Sequence, residues 1–170
     1  MEMQLSFSKK QFFRTWRYRY IDAWCCPLHY LKEQVLQNTK INPKKVHEIP
    51  SGIDFSKIQK IDKQIAKNKF NLSNDVQVFG VLGRIDPQKG QKLVVEAMNK
   101  LNKGNIILLI MGIQDCSEKP EYTESIKKMI GEQRLKNQIR MLPFSDSIDD
   151  FFEAIDALIV PSENETVGMV

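Results

Sequence analysis

The sequence predicts an α/β fold, a Rossmann-like parallel sheet with helices on both faces, and three observations carry that prediction. From Val76 onward, short apolar runs alternate with longer amphipathic runs of helical period. The apolar runs are hydrophobic throughout, as strands buried on both faces of a parallel sheet are, instead of alternating with polar residues. Glycine or proline falls near most junctions, at Gly83, Gly104, Gly112, Pro120, Pro143 and Pro161.

Taken in order, residues 1–48 are aromatic-rich and basic and carry two helical patterns. One runs from about Lys9 to Tyr20; the other runs from Leu28 to Asn38, with Leu31, Val35 and Leu36 at helical spacing. Pro50 and Gly52 mark a turn, and the lysine- and asparagine-rich residues 55–75 read as a surface connector with a short helix. Strands are expected at Val78–Leu82, Asn105–Met111, Gln138–Met141 and Ala157–Val160, and helices at about 91–102, 119–134 and 147–154. In such a sheet ligands bind beyond the carboxyl ends of the strands, where Arg84, Gly112, Pro143 and the segment from Pro161 to Gly168 fall.

Composition narrows the function classes. The 170 residues, 42% of them hydrophobic, suffice for one packed domain or one domain and a piece of another. A net charge of +4 suits an anionic ligand or a membrane surface and is too small to indicate nucleic acid. Cys25, Cys26 and Cys116 form no CxxC and leave one thiol over, so neither a disulfide framework nor a zinc site is expected and a reducing cytoplasm is. No apolar run approaches the roughly 20 residues of a membrane span, and the N-terminus lacks the charged-then-apolar order of a signal peptide.

Two clusters can carry chemistry. In the first, an apolar strand enters Gly83, a loop holds Arg84 and Lys89, and a helix begins after Gly90. A glycine-bracketed loop with two cations at a helix start suits phosphate: the helix offers unpaired N–H groups, Arg84 can fork onto two oxygens, and Lys89 adds a mobile charge. The loop is neither a P-loop nor a GxGxxG turn, and by itself an ordinary βα loop with solvated cations explains it equally well. The second cluster runs from Ala157 to Val170. A strand ends at Pro161, and a polar turn then brings Glu163, Glu165, Thr166 and Gly168. A carboxylate there can accept hydrogen bonds from sugar hydroxyls while the following amides face phosphate; the competing reading is a solvated acidic loop.

Together the clusters resemble the donor-binding domain of retaining GT-B glycosyltransferases, specifically glycosyltransferase family 4. The residues that carry the resemblance are Gly83-Arg84-Ile85-Asp86-Pro87-Gln88-Lys89-Gly90 and Pro161-Ser162-Glu163-Asn164-Glu165-Thr166-Val167-Gly168-Met169. Ile49-Pro50-Ser51-Gly52-Ile53-Asp54 is similar to the family's interdomain segment, with Ser51 in place of its usual Asn. The resemblance covers roughly residues 20–170 in the right order. It implies that Arg84 and Lys89 neutralise the diphosphate of a nucleotide-diphosphate sugar and, with Glu165 on the donor-sugar hydroxyls, make up the catalytic set. Gly83, Thr166, Val167, Gly168 and Met169 would line the donor, with Val167 replacing a common Phe. It implies no metal and no cofactor, the nucleotide-sugar being a co-substrate. It further implies a glycan or lipid-linked acceptor in cell-envelope glycan synthesis, no nucleic acid, and a cytoplasmic location with peripheral contact at the inner membrane face as a secondary reading.

The second glutamate of the family's motif belongs eight residues after Glu165, beyond Val170. The expected organisation is therefore a truncated one, an incomplete C-terminal half of a GT-B fold. Residues 1–48 are a remnant of the N-terminal acceptor domain, 49–75 an interdomain segment and connector, and 76–170 the donor-binding domain. Such a fragment is expected to be inactive alone; a non-catalytic nucleotide-sugar or phosphorylated-ligand binding module is the alternative.

Smaller features have simpler readings. The stretch from Lys9 to Tyr20 interleaves aromatics with cations, which suits lipid or single-stranded nucleic acid, but a helix packing its aromatics on a neighbouring domain is the preferred account. His29 and His47 lack a second ligand at metal spacing, and Asp146, Asp149 and Asp150 suit a helix start.

Overall fold

The computed structural model describes residues 9–10, 16–101, 103–113, 119–131, 134–145 and 148–163. They form two compact units, the first ending at Asp54 and the second beginning at Phe55.

In the first unit, strands β1 (Trp24–Cys26) and β2 (Val46–Glu48) pair in parallel, Trp24 opposite Val46 and Cys26 opposite Glu48. Neither strand is among the sequence expectations; at three residues each they are too short to show a period. Helix α1 (His29–Asn38) matches the expected second helix and buries Leu31 and Val35 beside Cys26, Ile41 and Val46. Thr39 ends it. Its hydroxyl donates to the Val35 carbonyl at 2.7 Å and accepts from the Ile41 N–H at 3.3 Å, so a buried polar side chain is satisfied on both sides. Of the expected first helix, residues 11–15 lie outside the described residues, and Tyr18–Tyr20 form a tight 3-10 turn.

The second unit is a four-stranded parallel sheet made of β3 (Gln77–Leu82), β4 (Ile106–Ile113), β5 (Ile139–Pro143) and β6 (Ala157–Leu158), in the order β5-β4-β3-β6. Period 2 divides its side chains between two cores. Val81, Ile106, Leu108 and Ile110 pack with helices α3 (Gln91–Leu101) and α4 (Pro120–Gly131), through Val94, Val95, Met98 and Ile126. Val78, Ile107, Leu109 and Met111 pack with Leu72 and with Phe151 of helix α5 (Asp149–Ala154). Each fully buried Leu or Ile in these layers contributes about 1.5–3 kcal/mol. Gly80 lets α5 come close: a Cβ there would lie 2.7 Å from the Phe151 ring.

The segment 55–75 is more than a surface connector. It holds helix α2 (Lys63–Lys69), started by Asp62, whose carboxylate accepts from the N–H groups of Gln64 at 2.9 Å and Ile65 at 3.2 Å. This helix packs against α5 and buries Ala66 and Lys67. The chain builds β3, β4 and β5 in one direction and then crosses to the other side of β3 to add β6. The strand order thus reverses between β3 and β6, and the crevice beyond their carboxyl ends is where such sheets hold ligands.

Candidate functional site

The site is built at that reversal. Strand β3 runs into Gly83, whose φ of +138° is one that L side chains rarely adopt. Its N–H donates to the Met111 carbonyl at 3.0 Å, and its own carbonyl sits where a Cβ on Gly112 would be. The ends of β3 and β4 therefore meet backbone to backbone, with an irregularity in β4 between Met111 and Ile113. The chain then exposes Arg84, buries Ile85 and Asp86, and forms a 3-10 turn over Pro87–Lys89. Asp86 shapes the turn. Its carboxylate accepts from the Gln88 N–H at 3.0 Å, and its carbonyl accepts from the Lys89 N–H at 2.9 Å. A hydrogen bond from Lys119 at 2.9 Å, then that Gln88 N–H and the charges of Lys119 and Arg84, hold the Asp86 carboxyl below its ordinary pKa against the opposing effect of burial.

Gly90 closes the loop in the left-handed region at φ 68°. A Cβ on it would overlap the Pro161 carbonyl, and the Glu163 N–H donates to the Gln88 carbonyl at 3.1 Å. The cation loop and the turn after β6, separate clusters in the sequence, are therefore in direct contact.

Gly83, Arg84 and Lys89 lie on one loop beyond the end of β3, Arg84 exposed and Lys89 half-buried. Glu165, Thr166, Val167, Gly168 and Met169 lie outside the described residues. The start of α3 differs from expectation. Instead of an open row of N–H groups, the Gly90 N–H donates to the Pro87 carbonyl, the Leu93 and Val94 N–H groups to the Gly90 carbonyl, and the Lys92 N–H to the Tyr122 hydroxyl at 3.2 Å. These N–H groups are thus engaged within the fold, and the charged groups that the loop itself carries toward an anion are Arg84 and Lys89.

Sequence reasoning missed three contributors. Gln91 is wholly buried, and its amide reaches back to the Arg84 carbonyl at 2.9 Å. Lys119 pairs with Asp86, and Tyr122 caps α3. Polar residues at helix starts ordinarily read as solvated, so only their partners across the fold reveal them. An open cleft of about 370 Å³ lies beside the loop, lined by Pro87, Lys119, Pro120, Glu121 and Tyr122.

Elsewhere the minor candidates have ordinary partners. His29 Nδ1 lies 3.0 Å from Glu48. Asp149 accepts from the Gln59 N–H at 3.3 Å, and Asp150 pairs with Lys69 at 2.7 Å, so these carboxylates join α5 to residues 55–75 as well as suiting its N-terminus. Asp146 lies outside the described residues. Trp16 and Tyr20 are exposed and meet edge-on, centroids 5.4 Å apart. A cleft of about 620 Å³ lined by Trp16, Tyr18, Arg19 and Lys40 opens in the first unit. Among the described residues no helix is long and apolar enough to cross a membrane, and no three metal-ligating side chains converge.

Comparison with known proteins agrees with this architecture. The chain is 27% identical over 139 residues to a D-inositol 3-phosphate glycosyltransferase of Actinosynnema mirum, covering 76% of this chain and 33% of that protein. It is 26% identical over 137 residues to the UDP-Gal:alpha-D-GlcNAc-diphosphoundecaprenol alpha-1,3-galactosyltransferase of Escherichia coli, covering 77% and 34%. The chain thus spans about a third of the length of these curated relatives. Among solved structures it superposes on Anabaena HepE in complex with UDP and glucose, with a TM-score of 0.77 at 15% identity, covering 91% of this chain and 42% of that one. It also superposes on a glycosyltransferase of Rickettsia africae, with a TM-score of 0.77 at 22% identity, covering 89% and 42%. These likenesses establish the fold, that of part of a GT-B glycosyltransferase. The family model described as glycosyl transferases group 1 matches residues 62–170, which include the whole four-stranded sheet and the sequence of both clusters, and the chain belongs to that family.

Proposed function

We propose that this chain forms the donor-binding part of a glycosyltransferase that moves a sugar, of hexosyl type, from a nucleotide-diphosphate sugar to an acceptor hydroxyl with retention at the anomeric carbon, as in glycosyltransferase family 4. The observation that carries the reading is the contact between the cation loop and the Pro161–Glu163 turn at the reversal of strand order. Anabaena HepE, which shares the fold, has structures with UDP and with UDP-glucose, a ligand of the same class.

In this reading the diphosphate lies beyond the ends of β3 and β6. Arg84 forks onto two of its oxygens and Lys89 adds a point charge. As the bond to the anomeric carbon breaks, negative charge grows on the departing diphosphate, and fixed cations stabilise that state more than the ground state. That role is the basis for proposing a transfer that needs no metal. Glu165 would accept from donor-sugar hydroxyls, and the amides of Val167 to Met169 would face sugar and diphosphate. A glycan or lipid-linked acceptor in cell-envelope synthesis, in the cytoplasm or against the inner membrane face, belongs to the same proposal. Two of the similar proteins act, by name, on an inositol phosphate and on a lipid-diphosphate sugar.

Calorimetry with uridine- and guanosine-diphosphate sugars tests it. The 170-residue polypeptide is expected to bind at least one of them weakly and to show no turnover. Arg84→Ala should weaken that binding by about 10- to 100-fold, the worth of one or two charge-assisted hydrogen bonds. Binding that is absent for every donor, or unchanged in Arg84→Ala, rules the reading out.

A further inference from the structure

We infer that Gln91 is a positioning residue for the cation pair: it fixes the backbone from Arg84 to Asp86 and so sets where the arginine leaves the loop. The inference rests on the donor-site reading above. Gln91 is the first residue of α3 and has 0% exposure, at a point on a helix where a polar side chain ordinarily turns to water. Its Nε2 donates to the Arg84 carbonyl at 2.9 Å, and its Oε1 accepts from the Asp86 N–H at 3.4 Å. These two backbone groups flank Ile85, whose side chain is buried with Val94 and Val95 of the same helix. Among the described residues the ladder of β3 with β4 ends at Leu82, so these two groups lie past it. Both would be costly to bury without partners.

One carboxamide thus closes the ascending limb of the loop, while the Asp86 carboxylate and carbonyl close the descending limb through Gln88 and Lys89. The two limbs meet at Asp86, so Arg84 and Lys89 are held by one hydrogen-bonded frame anchored on α3. The residue type is demanding. Asn falls a methylene short of the same two groups. Glu has no donor for the Arg84 carbonyl and would bury a charge. Met keeps the length and volume and makes neither bond.

The test uses inorganic pyrophosphate as the probe, because it reports the cations without the base or sugar. Wild type, Gln91→Met, Gln91→Glu, Arg84→Ala and the Arg84→Ala/Gln91→Met pair are compared in affinity. Ile107→Val, in the core on the other face of the sheet from Ile85, serves as a control that weakens the fold. Gln91→Met should weaken pyrophosphate by roughly tenfold, the scale of one misaligned charge-assisted contact. It should add little once Arg84 is gone, because both changes remove the same interaction. A control with the same loss of Tm should bind as wild type does. Amide exchange across residues 84–90 should rise in Gln91→Met before any ligand is added. Wild-type affinity in Gln91→Met, or full additivity with Arg84→Ala, overturns the inference. If wild type binds neither pyrophosphate nor any nucleotide-sugar, the donor-site reading fails instead. The exchange data then decide the positioning role alone, and unchanged protection at 84–90 overturns it.

Discussion

At the scale of single residues, Gly90 carries two demands at once. Its φ of 68° favours glycine, and the Pro161 carbonyl occupies the place of a Cβ. Alanine could relieve the overlap only by moving the turn after β6 away from the cation loop, so the strain cannot stay local. Gly90→Ala is expected to cost about 1–3 kcal/mol in urea unfolding. It should also weaken donor binding by more than the lost stability explains. A variant as stable as wild type would show that the contact does not brace the site. The loop's place beyond β3 was legible in sequence because Arg84, Lys89 and their glycines form a contiguous word. The frame behind it was not, since Gln91 reads as a surface residue until its partners at Arg84 and Asp86 are seen.

At the scale of elements, α2 shows how a lysine-rich segment can be structural. Lys67 is 5% exposed, yet its ammonium donates to the Val76 carbonyl at 3.0 Å and lies 4.0 Å from Asp156. Asp156 in turn accepts from the Val78 N–H at 2.7 Å and pairs with Lys63 at 2.5 Å. One carboxylate thereby ties α2 to the start of β3 and of β6. Lys67→Met should cost about 1–3 kcal/mol, because it takes the donor from a partly buried carbonyl while Asp156 keeps its exposed partner. Chemical denaturation checks the size, and no change would mean that the tie is idle. The sequence reads this segment as a surface connector with a short helix because a run of Lys and Asn has no apolar period, and the burial of Lys67 depends on the carbonyls of Asn74 and Val76, just before β3. Strands β3 and β4 were readable for the opposite reason: burial on both faces leaves Ile106–Met111 apolar without interruption. Three-residue β1 and β2 carry no such signature, and their pairing joins residues 22 positions apart, Trp24 with Val46 through Cys26 with Glu48.

At the scale of the whole molecule, the fold class was legible because alternation of apolar strands and amphipathic helices admits few architectures. The order β5-β4-β3-β6, which creates the crevice, is a long-range choice that no local pattern states. The ion pairs that fasten this arrangement make its stability depend on acidity in a definite direction. Burial opposes the ionisation of Asp156, but hydrogen bonds from Lys63 and the Val78 N–H, with the charge of Lys67, outweigh it and lower its pKa. The pKa of Asp86 is lowered chiefly by the hydrogen bond from Lys119. Each carboxyl is therefore a stronger acid folded than unfolded, where it titrates near about 3.9. The native state binds fewer protons than the unfolded state in the window between those values, so unfolding is favoured as pH falls. The contribution is fully present above the unfolded pKa, begins to fade just below pH ~4, and is gone beneath the lowered native values. Urea midpoints should accordingly be flat in this respect from pH 7 to 5 and fall below ~4. Asp156→Asn removes one titrating partner while keeping an acceptor for the Val78 N–H. It should lower the midpoint at pH 7 and make the acid limb shallower. An acid limb as steep as that of wild type would place the titration elsewhere in the molecule.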